Sequence, residues 1–117
     1  MSPTPFERMA NLDRLVHEPT RLAILAALSA CRSADFLFLQ RITGLTKGNL
    51  SSHLAKLEEA GLVEIEKRFV DKKSQTRARL SEAGRQAIEG YWQQMESLRR
   101  GAARWRPESS KPLPAGS

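Results

Sequence analysis

The chain has 117 residues, with 19 lysines and arginines against 13 acidic residues and a formal charge of +6; that length suits one compact domain and excludes a second, catalytic one. Its 40% hydrophobic content is too high for a disordered chain, and no apolar run approaches the roughly 18 residues of a membrane span. With one cysteine, Cys31, no intrachain disulfide is possible, and the start M-S-P-T-P-F-E-R lacks the basic-then-apolar pattern of a secretory leader, so a cytoplasmic protein is expected.

Phe6, Met9, Leu12 and Val16 form one helical stripe after Pro5, which predicts a first helix over about a dozen residues. Pro19 suits the first turn of a second helix, since its missing N–H is one the helix leaves unpaired anyway. Ile24 and Leu22, Leu25 and Leu28 give that helix a strongly apolar run up to Cys31. A short third helix holds Phe36, Leu37, Leu39, Gln40 and Ile42 and stops at Gly44. Thr46 caps the fourth, in which Leu50, Leu54 and Leu57 recur at i, i+4 and i+7 until Gly61.

From Leu62 the period drops to two. Val63, Ile65, Lys67 and Phe69 alternate with Glu64, Glu66, Arg68 and Val70, the turn-forming D-K-K-S of residues 71–74 follows, and Thr76, Ala78 and Leu80 alternate again, so the pair reads as a hairpin. Ser81 caps a long fifth helix that runs to about Trp105. Past Pro107 the composition is too rich in Pro, Ser and Gly to pack. The expected organisation is therefore one domain over 1–106 and a disordered tail over 107–117. The fold class is mainly α with a β-hairpin: a helix-turn-helix followed by a wing.

That order of elements implies a reader of duplex DNA. The second helix of such a pair fits the major groove, and a basic hairpin reaches phosphate or the minor groove. Residues 46–80 are the most basic segment, with eight basic against five acidic residues, a charge balance suited to a polyanion. On the fourth helix the face opposite Leu50, Leu54 and Leu57 holds Gly48, Asn49, Ser52, Ala55 and Lys56, flanked by Ser51 and His53. Small residues there let the backbone approach the duplex. Asn49 can pair bidentately with adenine, Thr46 and the serines suit bases or phosphates, and Lys47 and Lys56 can neutralise phosphate. Lys72, Lys73, Arg77 and Arg79 supply charge on the wing. The competing reading is an amphipathic helix with a merely solvated face.

The segments H-E-P-T-R-L-A-I-L-A-A-L and F-L-F-L-Q-R-I-T-G-L-T-K-G-N-L-S-S-H-L-A-K-L-E-E-A-G-L-V, with the hairpin, resemble small winged-helix transcriptional regulators lying between the multiple-antibiotic-resistance (MarR) and arsenical-resistance (ArsR) types. The resemblance spans about residues 8–100 and implies a homodimer on a palindromic operator. Some arsenical-type relatives sense metals through cysteine pairs. Here Phe36-Leu37-Phe38-Leu39-Gln40 occupies the corresponding helix, which counts against metal sensing. Cys31, His17 and His53 are too few soft ligands for a structural zinc site. No nucleophile with a base and an orienting acid is present, and no glycine-rich phosphate loop precedes a helix, so neither an enzyme nor a cofactor is expected.

On the fifth helix Gly84, Ile88, Tyr91, Met95, Leu98, Ala102 and Trp105 step by four and three, the seam of a coiled coil. With Phe6, Met9 and Val16 of the first helix, Ile88, Tyr91, Met95, Leu98 and Trp105 are expected to form a homodimer interface, Trp92 and Trp105 serving as anchors. The alternative is that this helix packs on its own domain. The function expected is a dimeric, sequence-specific repressor, with activation open. Two rivals stand beside it: a winged-helix module docking an acidic protein, and a sensor of a small-molecule effector held between the first, second and fifth helices.

Overall fold

Side-chain caps start every described helix of the computed structural model, which describes residues 3–107; the predicted tail beyond Pro107 lies outside the described residues. Thr4 opens α1 (Pro5–Ala10), Glu18 opens α2 (Pro19–Ser29), Asp35 opens α3 (Phe36–Thr43), Thr46 opens α4 (Lys47–Glu59) and Ser81 opens α5 (Glu82–Arg104). In each case the side chain accepts a backbone N–H three residues on, satisfying a donor the first turn cannot. Three strands, β1 (Ala34–Asp35), β2 (Val63–Val70) and β3 (Lys73–Leu80), form an antiparallel sheet in the order β1-β3-β2.

α1 is half the predicted length. Asn11 ends it by donating its backbone N–H to Arg8 and its side-chain amide to the Glu7 carbonyl, and Asp13 then caps a turn by accepting the Leu15 N–H at 2.9 Å. These short polar side chains bond the local backbone in competition with the helix. Leu12 and Val16 are still buried, so their spacing reported burial rather than helix. β1 is an addition to the predicted elements. Two residues, Ala34 and Asp35, pair with Ala78 and Arg77, too short a run for periodicity to reveal. The hairpin loop is also tighter than D-K-K-S: only Asp71 (φ 51°) and Lys72 (φ 65°) lie between the strands, the left-handed pair that a two-residue loop needs to match strand twist.

The end of α4 fixes where the wing begins. The Leu62 N–H reaches the Leu57 carbonyl and the Gly61 N–H the Glu58 carbonyl, both at 2.9 Å, with Gly61 at φ 79°. This Schellman closure requires a left-handed residue at Gly61 and turns the chain directly into β2. Along the hairpin Val63, Ala78 and Leu80 are buried and Ile65 is partly so. Their cross-strand register continues to Lys67 opposite Thr76 and Phe69 opposite Ser74, where the hairpin has run past the core.

The core joins Ile24, Leu25 and Leu28 of α2, Leu39 of α3, Leu50, Leu54 and Leu57 of α4, and Ile88 of α5. α5 comes close because Gly84 has no side chain: a Cβ there would collide with the Leu62 carbonyl. That packing corrects the predicted dimer seam. Val16 (2% exposed), Ile88 (0%), Tyr91 (6%) and Leu98 (0%) are buried within the chain's own fold, so they present no surface to a partner helix. A four-three spacing of apolar residues is produced equally by any helix lying along a core, and here α2 and α1 cover it. The Tyr91 hydroxyl is satisfied by His17 Nδ1 at 2.6 Å, and burial raises its pKa.

Candidate nucleic-acid interface

α4 presents one continuous polar face. Leu50, Leu54 and Leu57 hold the opposite side in the core, leaving Thr46, Lys47, Gly48, Asn49, Ser51, Ser52, Ala55 and Lys56 exposed. The Thr46 hydroxyl is occupied by the Asn49 N–H at 3.1 Å, so its part is to fix the first turn. The Asn49 side-chain amide makes no hydrogen bond among the described residues, which leaves both its donor and its acceptor unengaged. A groove of about 760 Å³ runs from this end of α4 to the wing, lined by Lys47 and Ser51, by Phe36, Leu37, Phe38 and Arg41 of α3, and by Ser74 to Thr76 of β3.

His53 is placed differently from the other predicted contacts. It is half-buried toward the start of α2, its Nδ1 lying 3.4 Å from Arg21 Nη1 and 3.8 Å from Glu18 Oε2. Arg21 also donates to the Leu15 carbonyl at 2.8 Å, so this cluster ties α4 to α2 and to the turn before it. Burial opposes ionisation of Glu18, but the backbone N–H groups of Arg21 and Thr20 and the nearby His53 outweigh it and hold the carboxyl below its usual pKa. His53 therefore positions the helix and does not face outward with Ser52.

The wing separates its cations into two kinds. Register puts Glu64 opposite Arg79 and Glu66 opposite Arg77. Arg79 pairs with Glu64 at 2.6 Å, and Arg77 donates to Ser33 Oγ at 2.8 Å, so both predicted contacts are engaged within the protein, well behind the loop. Arg68 pairs with Glu66 at 2.9 Å; the hydrogen bond between them, and then their opposite charges, lower the Glu66 pKa and raise that of Arg68. Lys67, Lys72 and Lys73 are exposed and form no ion pair among the described residues. Lys72 and Lys73 were expected at the tip. Lys67, on the same strand face as Phe69, and the groove residue Arg41 add exposed positive charge outside the set that the sequence singles out.

Among the described residues no cluster of three or more His, Cys, Asp or Glu side chains could hold a metal, and no helix is long and apolar enough to cross a membrane. Cys31 is a free thiol, partly buried after α2.

Comparison with known proteins agrees with this geometry. Residues 20–98 match the family model described as a winged helix DNA-binding domain. An uncharacterised protein of Methanocaldococcus jannaschii is 35% identical over 78 residues, covering 67% of this chain and 85% of that protein. The HTH-type transcriptional regulator YgaV of Escherichia coli is 36% identical over 61 residues, covering 52% and 62%. A solved transcriptional regulator homologue from Pyrococcus horikoshii superposes with a TM-score of 0.76 at 26% identity, covering 84% of this chain and 96% of that one. The chain thus belongs to the winged-helix DNA-binding domain family and is a transcriptional regulator.

Proposed function

We propose that this regulator binds a palindromic operator as a homodimer and represses by occluding a promoter, acting on DNA in the cytoplasm. The observation that carries the reading of DNA is the exposed polar face of α4, continuous through the groove with a lysine-tipped hairpin. In this reading Asn49 and Ser52 meet base edges, while Lys47, Ser51, Lys56, Lys72 and Lys73 meet phosphates. Gly48 and Ala55 permit the close approach, and Thr46 holds the first turn.

The dimer rests on a smaller set of residues than the sequence suggested. Phe6 (48% exposed), Trp92 (48%) and Trp105 (41%) remain open on α1 and α5, Phe6 meeting Trp105 edge-on at 5.4 Å. A hollow of about 610 Å³ is lined by Trp92 with Met9, Met95 and Ala102 and by the paired Glu96 and Arg99. Aromatic and methionine side chains gathered on one surface favour a protein interface, and a second copy brings a second α4 for the other half-site. Selection of bound genomic fragments followed by footprinting tests the whole reading. Two protected half-sites related by a dyad, about one helical turn apart, are expected. A single protected half-site bound by one protomer would overturn it.

A further inference from the structure

We infer that Phe69 is an apolar wedge that the wing inserts into the minor groove at the flank of each half-site, giving the regulator selectivity through DNA deformability. The inference rests on the reading of the wing as a DNA contact and adds to it a residue that reads sequence without a hydrogen bond.

The argument starts from register. Phe69 pairs with Ser74 and Lys67 with Thr76 on one face of the hairpin, while Val70 pairs with Lys73 on the other. Val63 and Ile65 lie on the same alternating face of β2 as Phe69 and pack against the core with the α4 leucines, while Ser74, Gln75 and Thr76 line the groove together with Lys47 and Ser51 of α4, so Phe69 lies on the hairpin face that turns toward α4. It is 81% exposed, the highest value among the exposed large hydrophobic residues. Its neighbours on that face are a lysine, a threonine and a serine, and the loop beyond it carries Lys72 and Lys73.

A single ring set among Lys67, Ser74 and Thr76, with Val70 exposed on the other hairpin face, is by itself poorly suited to a protein partner. One aromatic side chain buries roughly 150–250 Å², whereas a stable protein interface needs about 1,000 Å² or more. Duplex DNA satisfies both kinds of group present. The unpaired lysines are attracted to the phosphates on either rim of the minor groove, and the ring is left above sugars and base edges, where apolar side chains pry open base steps and kink the duplex. The cost of opening is lowest at pyrimidine–purine steps, so a wedge favours those sequences.

The test is binding-site selection from a random duplex library with the parent and with Phe69→Ala and Phe69→Leu. The side chain is outside the core, so folding is expected to survive, as checked by urea unfolding. The parent and Phe69→Leu are expected to enrich pyrimidine–purine steps at a fixed distance outside the α4 motif. Phe69→Ala is expected to keep that motif and lose the flank. On a parent-selected duplex Phe69→Ala should bind about tenfold more weakly, and 2-aminopurine placed at the flanking step should brighten with the parent and stay quenched with the variant. Identical flanks for parent and Phe69→Ala, or a change seen in oligomeric mass instead of in flank selection, would overturn the wedge. A Lys72→Ala/Lys73→Ala variant with unaltered salt dependence would instead overturn the wing contact on which it rests.

Discussion

The division of the wing's charges into free and paired gives the sharpest quantitative expectation. A cation resting on a phosphate releases a counterion and adds about 0.9 to the slope of log K against log salt. At about 0.15 M salt that is about a fivefold gain in affinity per contact. Lys72 and Lys73 flank or form the loop and have no carboxylate partner among the described residues. Replacing both by alanine should remove four contacts from the proposed symmetric dimer, a slope loss of about 3.6 and a weakening of about a thousandfold. Random and operator duplexes should be affected alike, because phosphates carry no sequence information. Arg79→Ala is the control. Its guanidinium sits 2.6 Å from the Glu64 carboxylate, so its removal should leave the slope within about half a unit of the parent. Fluorescence-anisotropy titrations over a range of salt concentrations measure both. An Arg79→Ala slope loss as large as that of a lysine, or an unchanged slope in the double variant, would refute the assignment.

Asn49→Ala should cost about 1–3 kcal/mol on a selected operator and relax preference at one base pair per half-site, read from affinities over a library with every position varied; an unchanged profile would move base reading to Ser52. Trp92→Asp should give a folded monomer by light scattering, whereas Leu98→Asp, at a fully buried position, should unfold the chain and not merely dissociate a dimer. Gly84→Ala drives a Cβ into the carbonyl that accepts the Ser81 N–H at 3.0 Å. Overpacking and disturbance of the α5 cap together should cost about 2–4 kcal/mol in urea unfolding. The folded-state pKa of Glu18 is lowered, so its contribution is fully present above the unfolded value and is lost as pH falls through the lower folded one. Glu18→Gln should accordingly narrow the stability gap to the parent below about pH 4, measured by thermal unfolding against pH.

Local chemistry along the chain was enough to set α2 to α5 and the hairpin, but not the length of α1 or the two-residue β1. Thr46, the leucines at 50, 54 and 57, and Gly61 state where α4 begins, which side it buries and where it stops, because capping and a 3.6-residue period are local properties of the chain. The alternation after Leu62 set the hairpin for the same reason. What each exposed or apolar group touches is not local. Ile88, Tyr91 and Leu98 obey the same spacing whether a second copy or the chain's own α1 and α2 cover them, and it takes the folded arrangement to show the latter. Likewise Arg77, Arg79 and His53 look like free contacts until β-sheet register brings up Glu64 and the docking of neighbouring elements brings up Ser33, Glu18 and Arg21. Charge availability depends on distance in space, which sequence separation does not supply. The surface proposed to meet DNA, the face of α4 and the lysines at the wing tip, therefore depends on which of the candidate polar groups the fold has already paired.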